Sequence, residues 1–221
     1  MYVNFDVNSK LVETLEKINI TLSNFNINNA KGKEEDQVNK FEKLLQTRRS
    51  IRKYDESKKI TEDQLKEIVR AGIQAPSWKN TETARYYGVL SDDMIEKVRE
   101  CLPVFNQKNS AGRSLLVTSY VKGQSGYGNG QPANELADGW GLYDLGLANQ
   151  NIVMKAADMG LATLIMGIRD ADKLAELLNV PENEVIVSVI AIGYPATEPT
   201  NVKRKTEDDV LNSYIKTKGN T

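Results

Sequence analysis

Three apolar runs constrain the fold of this chain more than any other feature. EVIVSVIAIGYP (184–195), SLLVTSYV (114–121) and LATLIMGI (161–168) read as strands, the second for its β-branched and aromatic residues and the third as a buried one. YYGVL (86–90) adds a shorter strand. Helical spacing fills the segments between them. Val38, Phe41, Leu44 and Leu45 share one face of a helix that runs into Arg48 and Arg49. Thr61-Glu62-Asp63-Gln64 has the capping-box form and opens a helix with Leu65, Ile68 and Val69 inward. That helix ends near Gln74-Ala75-Pro76, because the residue before proline disfavours helical geometry. Ser91 caps a helix carrying Ile95, Val98 and Leu102. GQSGYGNGQP (123–132) holds four glycines in ten residues and reads as a mobile loop. A long helix is predicted next, over Ala133–Met159, with Leu136, Trp140, Tyr143, Leu147 and Ile152 on one stripe and Gly160 at its end. At 1.5 Å per residue it would be about 40 Å long. Asp170 opens a helix through Leu178, and Thr206 begins a terminal helix in KTEDDVLNSYI (205–215). Helices and strands mix without strict βαβ alternation, so the fold class is α+β, a sheet layered with helices.

Residues 1–36 read as an N-terminal extension. Leu11, Leu15, Ile18 and Leu22 repeat at helical spacing, and the asparagine-rich SNFNINNAKGKEED (23–36) breaks the pattern as a linker. Residues 37–221 form the main domain.

Composition removes whole classes of chemistry. The 221 residues contain no histidine and one cysteine, Cys101. Ser-His-Asp and Cys-His nucleophiles, His-based zinc sites, intrachain disulfides and thiolate cluster sets are therefore excluded. An enzyme of this composition works through a borrowed cofactor or through carboxylates and water. Lys plus Arg total 29 against 30 for Asp plus Glu, a formal charge of −1, which argues against a nucleic-acid partner. No apolar run approaches the roughly 20 residues that span a bilayer, and MYVNFDVNSK lacks a signal-peptide block, so the expectation is a cytoplasmic protein without a membrane partner.

Against that neutral background TRRSIRKYD (47–55) stands out. Arg48, Arg49, Ser50, Arg52 and Lys53 suit a phosphate, since guanidinium gives bidentate, charge-assisted hydrogen bonds. The competing reading is a solvated helix end whose cations complement the dipole. If SIRKY is extended, Ser50 and Arg52 project to one side and Ile51 and Lys53 to the other. A second basic cluster, Lys203, Arg204 and Lys205, lies far along the chain. APSWKNTET (75–83) offers hydrogen bonds from Ser77, Asn80 and Thr81 and a flat face from Trp78. MGLATLIMGIRD (159–170) ends a core strand at Met166-Gly167, where a glycine permits close backbone approach to a ligand.

In this order the segments RRSIRKYD, APSWKN, GWGLYDLGLANQNIVMKAADMGLATLIMG and VKRKTEDDVL resemble the FMN-dependent nitroreductase family, over residues 41–216. The resemblance implies a central, mostly antiparallel sheet flanked by helices, with a long central helix, in an intertwined homodimer holding FMN at the subunit interface. It implies that Arg48, Arg49 and Ser50, with Lys203, Arg204 and Lys205, hold the phosphate and ribityl chain, and that Arg52 lies near N1 and the C2 carbonyl. Asn106 would reach the pyrimidine edge. The backbone of Leu164, Ile165, Met166 and Gly167 would face the ring, with amides at N5 and O4. Pro76, Ser77, Trp78 and Asn80 would serve the FMN of the partner subunit. The implied activity is ping-pong hydride transfer from NADH or NADPH through flavin N5 to an electron-poor small-molecule acceptor such as a nitroaromatic or quinone. Two alternatives stay open: a specialised relative (flavin-consuming, dehalogenating or peptide-oxidising) and a flavin-binding dimer without turnover. Trp78 stands where relatives carry a small residue, and no dinucleotide fingerprint selects NADH or NADPH.

Overall fold

The computed structural model describes residues 14, 16, 17, 40–111, 113–198, 200 and 202–214. The N-terminal extension expected over 1–36 lies outside the described residues apart from Thr14, Glu16 and Lys17, which are helical. The chain divides into two compact units, Met1–Arg48 and Arg49–Thr221. In the first, residues 40–47 are helical (α1).

In the second unit the elements run α2 (Glu62–Gly72), β1 (Ala84–Val89), α3 (Asp92–Glu100), α4 (Val104–Asn109), β2 (Ser114–Val121), β3 (Tyr127–Gly128), β4 (Gln131–Pro132), α5 (Gly139–Asp158), β5 (Ala162–Met166), α6 (Ala171–Leu178) and β6 (Glu184–Gly193). β1, β2, β6 and β5 form one antiparallel sheet in that order. Its central strands read as unbroken apolar runs because both faces are covered, not one. Side chains alternate across a strand. Leu115, Val117, Val189 and Ala191 pack with α3 and α6 through Val98 and Leu174. Leu116, Ile190 and Ile192 pack with α2 and α5 through Ile68 and Ile152.

Local chemistry explains where the helices start and stop. Thr61 and Gln64 form the expected capping box: Gln64 N donates to Thr61 Oγ1 at 3.2 Å, and Thr61 N to Gln64 Oε1 at 2.9 Å. α2 ends at Gly72, two residues before the expected stop. Asp170 caps α6, accepting from Lys173 N at 3.1 Å. Gly160, at φ 72°, closes α5 with paired bonds, Gly160 N to Ala157 O (3.0 Å) and Leu161 N to Ala156 O (2.8 Å).

Three expectations need correction. α5 begins at Gly139, not near Ala133, and its 20 residues span about 30 Å. The Asn134 side chain takes Leu136 N (3.1 Å) and Trp140 Nε1 (3.0 Å), and Ala137 sits at φ 44°, so a local turn outcompetes the helix. The buried stripe of α5 is Gly141, Asp144, Leu145, Ala148, Asn149, Ile152, Val153 and Ala156, whereas Leu136 and Tyr143 are 52 % and 59 % exposed. The glycine-rich loop contains a short hairpin, Tyr127 and Gly128 pairing with Pro132 and Gln131. The terminal helix is only a single 3-10 turn, Glu207–Asp209, among the described residues. Val210, Leu211 and Tyr214 are all exposed, so no packed face stabilises a longer helix there. No helix among the described residues is long and apolar enough to cross a membrane.

Candidate functional site

The expected residues fall into two groups. The first lies along β5, an edge strand of the sheet. Its outer side meets the basic segment, where Ile51 N donates to Thr163 O at 3.0 Å and Ser50 bridges Thr163 in parallel. The chain continues extended past the end of β6: Ala196 N donates to Lys53 O (3.1 Å) and Asp55 N to Tyr194 O (2.9 Å). Ile51 packs on the core and Tyr54 is buried, while Ser50, Arg52 and Lys53 are exposed. Arg48, the last residue of the first unit, donates its N–H to Leu44 O at 2.9 Å.

A residue not anticipated from sequence fixes this segment from below. Arg113 is 2 % exposed; its Nη1 donates to Asp55 O at 3.0 Å, and its guanidinium lies 5.6 Å from the centroid of the Tyr54 ring. Burial raises the Tyr54 hydroxyl above its usual range, with Arg113 and Arg52 pulling the other way. The available signal was a cation immediately before the uncharged run 114–121.

Strand alternation assigns the residues of β5. Leu164 and Met166 are buried in the core and Ile165 is half exposed. Thr163 O points to the outer edge, so the N–H and C=O of Ile165 share that edge. Beyond it, Gly167 is exposed, and a Cβ built there would meet nothing within 4 Å. Two carbonyls of this loop are taken by side chains: Arg169 Nη1 donates to Gly167 O (3.3 Å), and Asn106 Nδ2 to Ile168 O (3.5 Å). Arg169 also donates to Ile186 O. In trans peptides the N–H groups of those units then face the opposite way. Asn106 is buried on α4, with its amide nitrogen committed to this loop.

The second group sits at the start of α5. Trp78 N donates to Asp144 Oδ2 at 2.9 Å, and Ser125 Oγ reaches the same oxygen at 2.7 Å. Glu82 N donates to Ser77 Oγ (3.0 Å) and Asn80 Nδ2 to Glu82 Oε1 (2.9 Å). The Trp78 ring lies 4.8 Å from that of Trp140. A cleft of about 140 Å³ opens beside Pro76, Ser77 and Asp144. A groove of about 510 Å³ between α2 and β1 contains none of the candidate residues. The signal for Asp144 was a carboxylate inside an apolar helical pattern. Lys203, Arg204 and Lys205 are exposed, with no hydrogen bond or ion pair among the described residues. No group of three metal-ligating side chains occurs among the described residues.

Chemically, the first group is an open strand edge with backbone donors and acceptors, space at Gly167, and the exposed Ser50 and Arg52 alongside. That set fits a flat heteroaromatic with polar atoms on one rim and an anionic tail. A protein from Archaeoglobus fulgidus, provisionally named NADH dehydrogenase/NAD(P)H nitroreductase, is 29 % identical over 160 residues, 71 % of this chain and 86 % of its own. Iodotyrosine deiodinase from Nematostella vectensis is 24 % identical over 195 residues, 77 % of this chain and 74 % of its own. The fold matches the solved nitroreductase family protein of Streptococcus pneumoniae TIGR4 at a TM-score of 0.67 and 17 % identity, over 79 % of this chain and 100 % of that one. The Nitroreductase family profile matches residues 45–194, and the chain belongs to that family.

Proposed function

We propose that this chain is an FMN-dependent oxidoreductase that carries a hydride from NAD(P)H to an electron-poor aromatic or quinone acceptor. Family membership supports the flavin and NAD(P)H part of that reading. The observation that carries it furthest is the outer edge of β5, open beside exposed Ser50 and Arg52. Bound FMN would supply the hydride chemistry, at its N5. The chain's residues bind and orient. Arg49 and Ser50, with Lys203, Arg204 and Lys205 contributing cations, would hold the phosphate. Arg52 would supply a positive charge beside the flavin, which favours its reduced, anionic form. Backbone groups from Leu164 to Gly167 would meet the ring edge, their strand held rigid by the buried side chains of Leu164 and Met166. Pro76, Ser77, Trp78 and Asn80 would complete the pocket of a second copy in a homodimer.

The test is an anaerobic spectrum of the full chain loaded with FMN and titrated with NADH, then NADPH. Bleaching of the visible flavin band, restored by a quinone or nitroaromatic, is the expected result. Absence of FMN uptake removes the reading, and uptake without bleaching leaves a flavin-binding dimer without turnover. Similarity to iodotyrosine deiodinase favours one second reading, reductive dehalogenation of an aromatic. Halide release from halophenols under the same conditions would select it.

A further inference from the structure

Asp144 is 4 % exposed, yet no cation lies within 4 Å of its carboxylate among the described residues. What it does have is two donors on one oxygen, Trp78 N and Ser125 Oγ. Ser125 is itself 1 % exposed, and its Oγ lies 2.7 Å from Thr81 Oγ1 and 3.3 Å from Thr83 Oγ1. A single carboxylate oxygen thus ties together the start of the 78–83 turn, its end, and the glycine-rich segment at Ser125.

That turn needs holding. Lys79, Asn80 and Glu82 adopt φ of 47°, 55° and 48°, three non-glycine residues in the left-handed region within four positions. Backbone of this kind is sparsely populated for side-chain-bearing residues and persists only where the surroundings over-determine it. α5 supplies both restraints from one face, since Trp140 and Asp144 are four residues apart. Trp140 packs against the Trp78 ring, the two planes tilted by 49°, while Asp144 accepts from the Trp78 backbone N–H.

We propose that Asp144 is a positioning residue that holds the 76–83 turn in its strained form and so sets the face that Trp78 and Asn80 present to the flavin pocket. The inference rests on the flavin reading above for its consequence, but its structural half can be measured without flavin. Trp78 and Trp140 are the chain's two tryptophans, so a circular-dichroism couplet between their indoles reports this turn, while the Trp140–Tyr143 pair at 5.6 Å lies within α5 and gives a background common to all variants.

The experiment compares Asp144→Ala, Asp144→Asn and Ser125→Ala in the full chain, with far-UV circular dichroism as the folding control. Both donors use Oδ2, so an asparagine carbonyl there can accept both bonds. Asp144→Asn should keep the tryptophan couplet and hold the FMN Kd within about threefold, because the hydrogen bonds survive. Asp144→Ala should lose the couplet, speed hydrogen exchange at the Trp78 amide, and weaken FMN about tenfold or more. Its KM for a planar quinone should rise more than its kcat falls. If Asp144→Ala does not fold, Ser125→Ala must show a partial loss of the couplet. An unchanged couplet in Asp144→Ala, or in Ser125→Ala where the first does not fold, overturns the proposal. So does an asparagine variant as impaired as the alanine one. If wild type takes no FMN, the flavin reading fails, and the couplet still decides whether Asp144 holds the turn.

Discussion

Gly141 is where the placement of the candidate site meets the packing of the core. It is the third residue of α5, one position after Trp140 and three before Asp144. A Cβ built there would stand 2.5 Å from Tyr120 Cδ2 and 2.8 Å from Cε2, closer than real Cβ contacts come. The ring belongs to β2 and is buried, so it cannot swing into solvent. Two effects oppose each other in Gly141→Ala. Helix propensity favours alanine by up to about 1 kcal/mol. Overpacking a well-filled interior costs about 1–3 kcal/mol, and two ring carbons inside 3 Å place this site in the upper half. The net expectation is a loss of about 1–2 kcal/mol, or about 2–8 °C in Tm at about 2–4 °C per kcal/mol for a domain this size. Thermal and urea unfolding by far-UV circular dichroism measure it. A double-mutant cycle with Tyr120→Val isolates the cause, since removing the ring should recover about 1 kcal/mol or more of coupling. A variant as stable as wild type, or a cycle with no coupling, would refute the argument that α5 is seated against Tyr120.

Two further outcomes follow from titrating groups. Tyr86 carries a buried hydroxyl with no partner among the described residues, and burial pushes its pKa up to about 12 from 10.0. Stability that depends on the protonated form is present below pH 10 and lost as pH rises through about 12. Tyr86→Phe should therefore be neutral to stabilising by about 1 kcal/mol at neutral pH and flatten the alkaline limb; an alkaline limb as steep as wild type's contradicts this. Asp170 caps α6, and its bond from Lys173 N holds its carboxyl below the ordinary 3.8. Its contribution is present above that value and lost as pH falls through the lower folded-state pKa. Asp170→Ala should lower Tm at neutral pH by a margin that shrinks below pH 3.8, and a margin constant across the acid range would contradict the cap.

The sheet was legible because strand signals are local. Runs 114–121 and 184–193 bury both faces, so apolar continuity alone marks them, and the caps at Thr61 and Asp170 rest on residues three apart. The errors arose where a nonlocal or side-chain competitor decided the outcome. Asn134 and Ala137 delayed α5 by six residues through one side chain and one left-handed backbone, neither visible in hydrophobic periodicity. The terminal helix was predicted from a sound cap, and Thr206 and Asp209 do form it. A cap without an apolar face to bury does not sustain a helix.

The site divides along the same line. The exposure of Ser50 and Arg52 follows from charge and that of Gly167 from its place at a strand end, while strict alternation stops at Lys53, which is exposed although its expected companion Ile51 packs on the core. Arg113 and Asp144 were not readable, because each acts on backbone contributed from 58 or more residues away. α5 shows why periodicity misled in one further way. Of the stripe read from its sequence only Ile152 is fully buried, and on α5 Leu142 and Tyr143 are apolar groups standing exposed near Trp140. A helix with apolar residues on two faces needs two covers. The sheet and α2 provide one, over Ile152 and Ala156. In the proposed homodimer a second copy would provide the other, over Leu142 and Tyr143, within one turn of the Trp140 and Asp144 that hold the 76–83 turn.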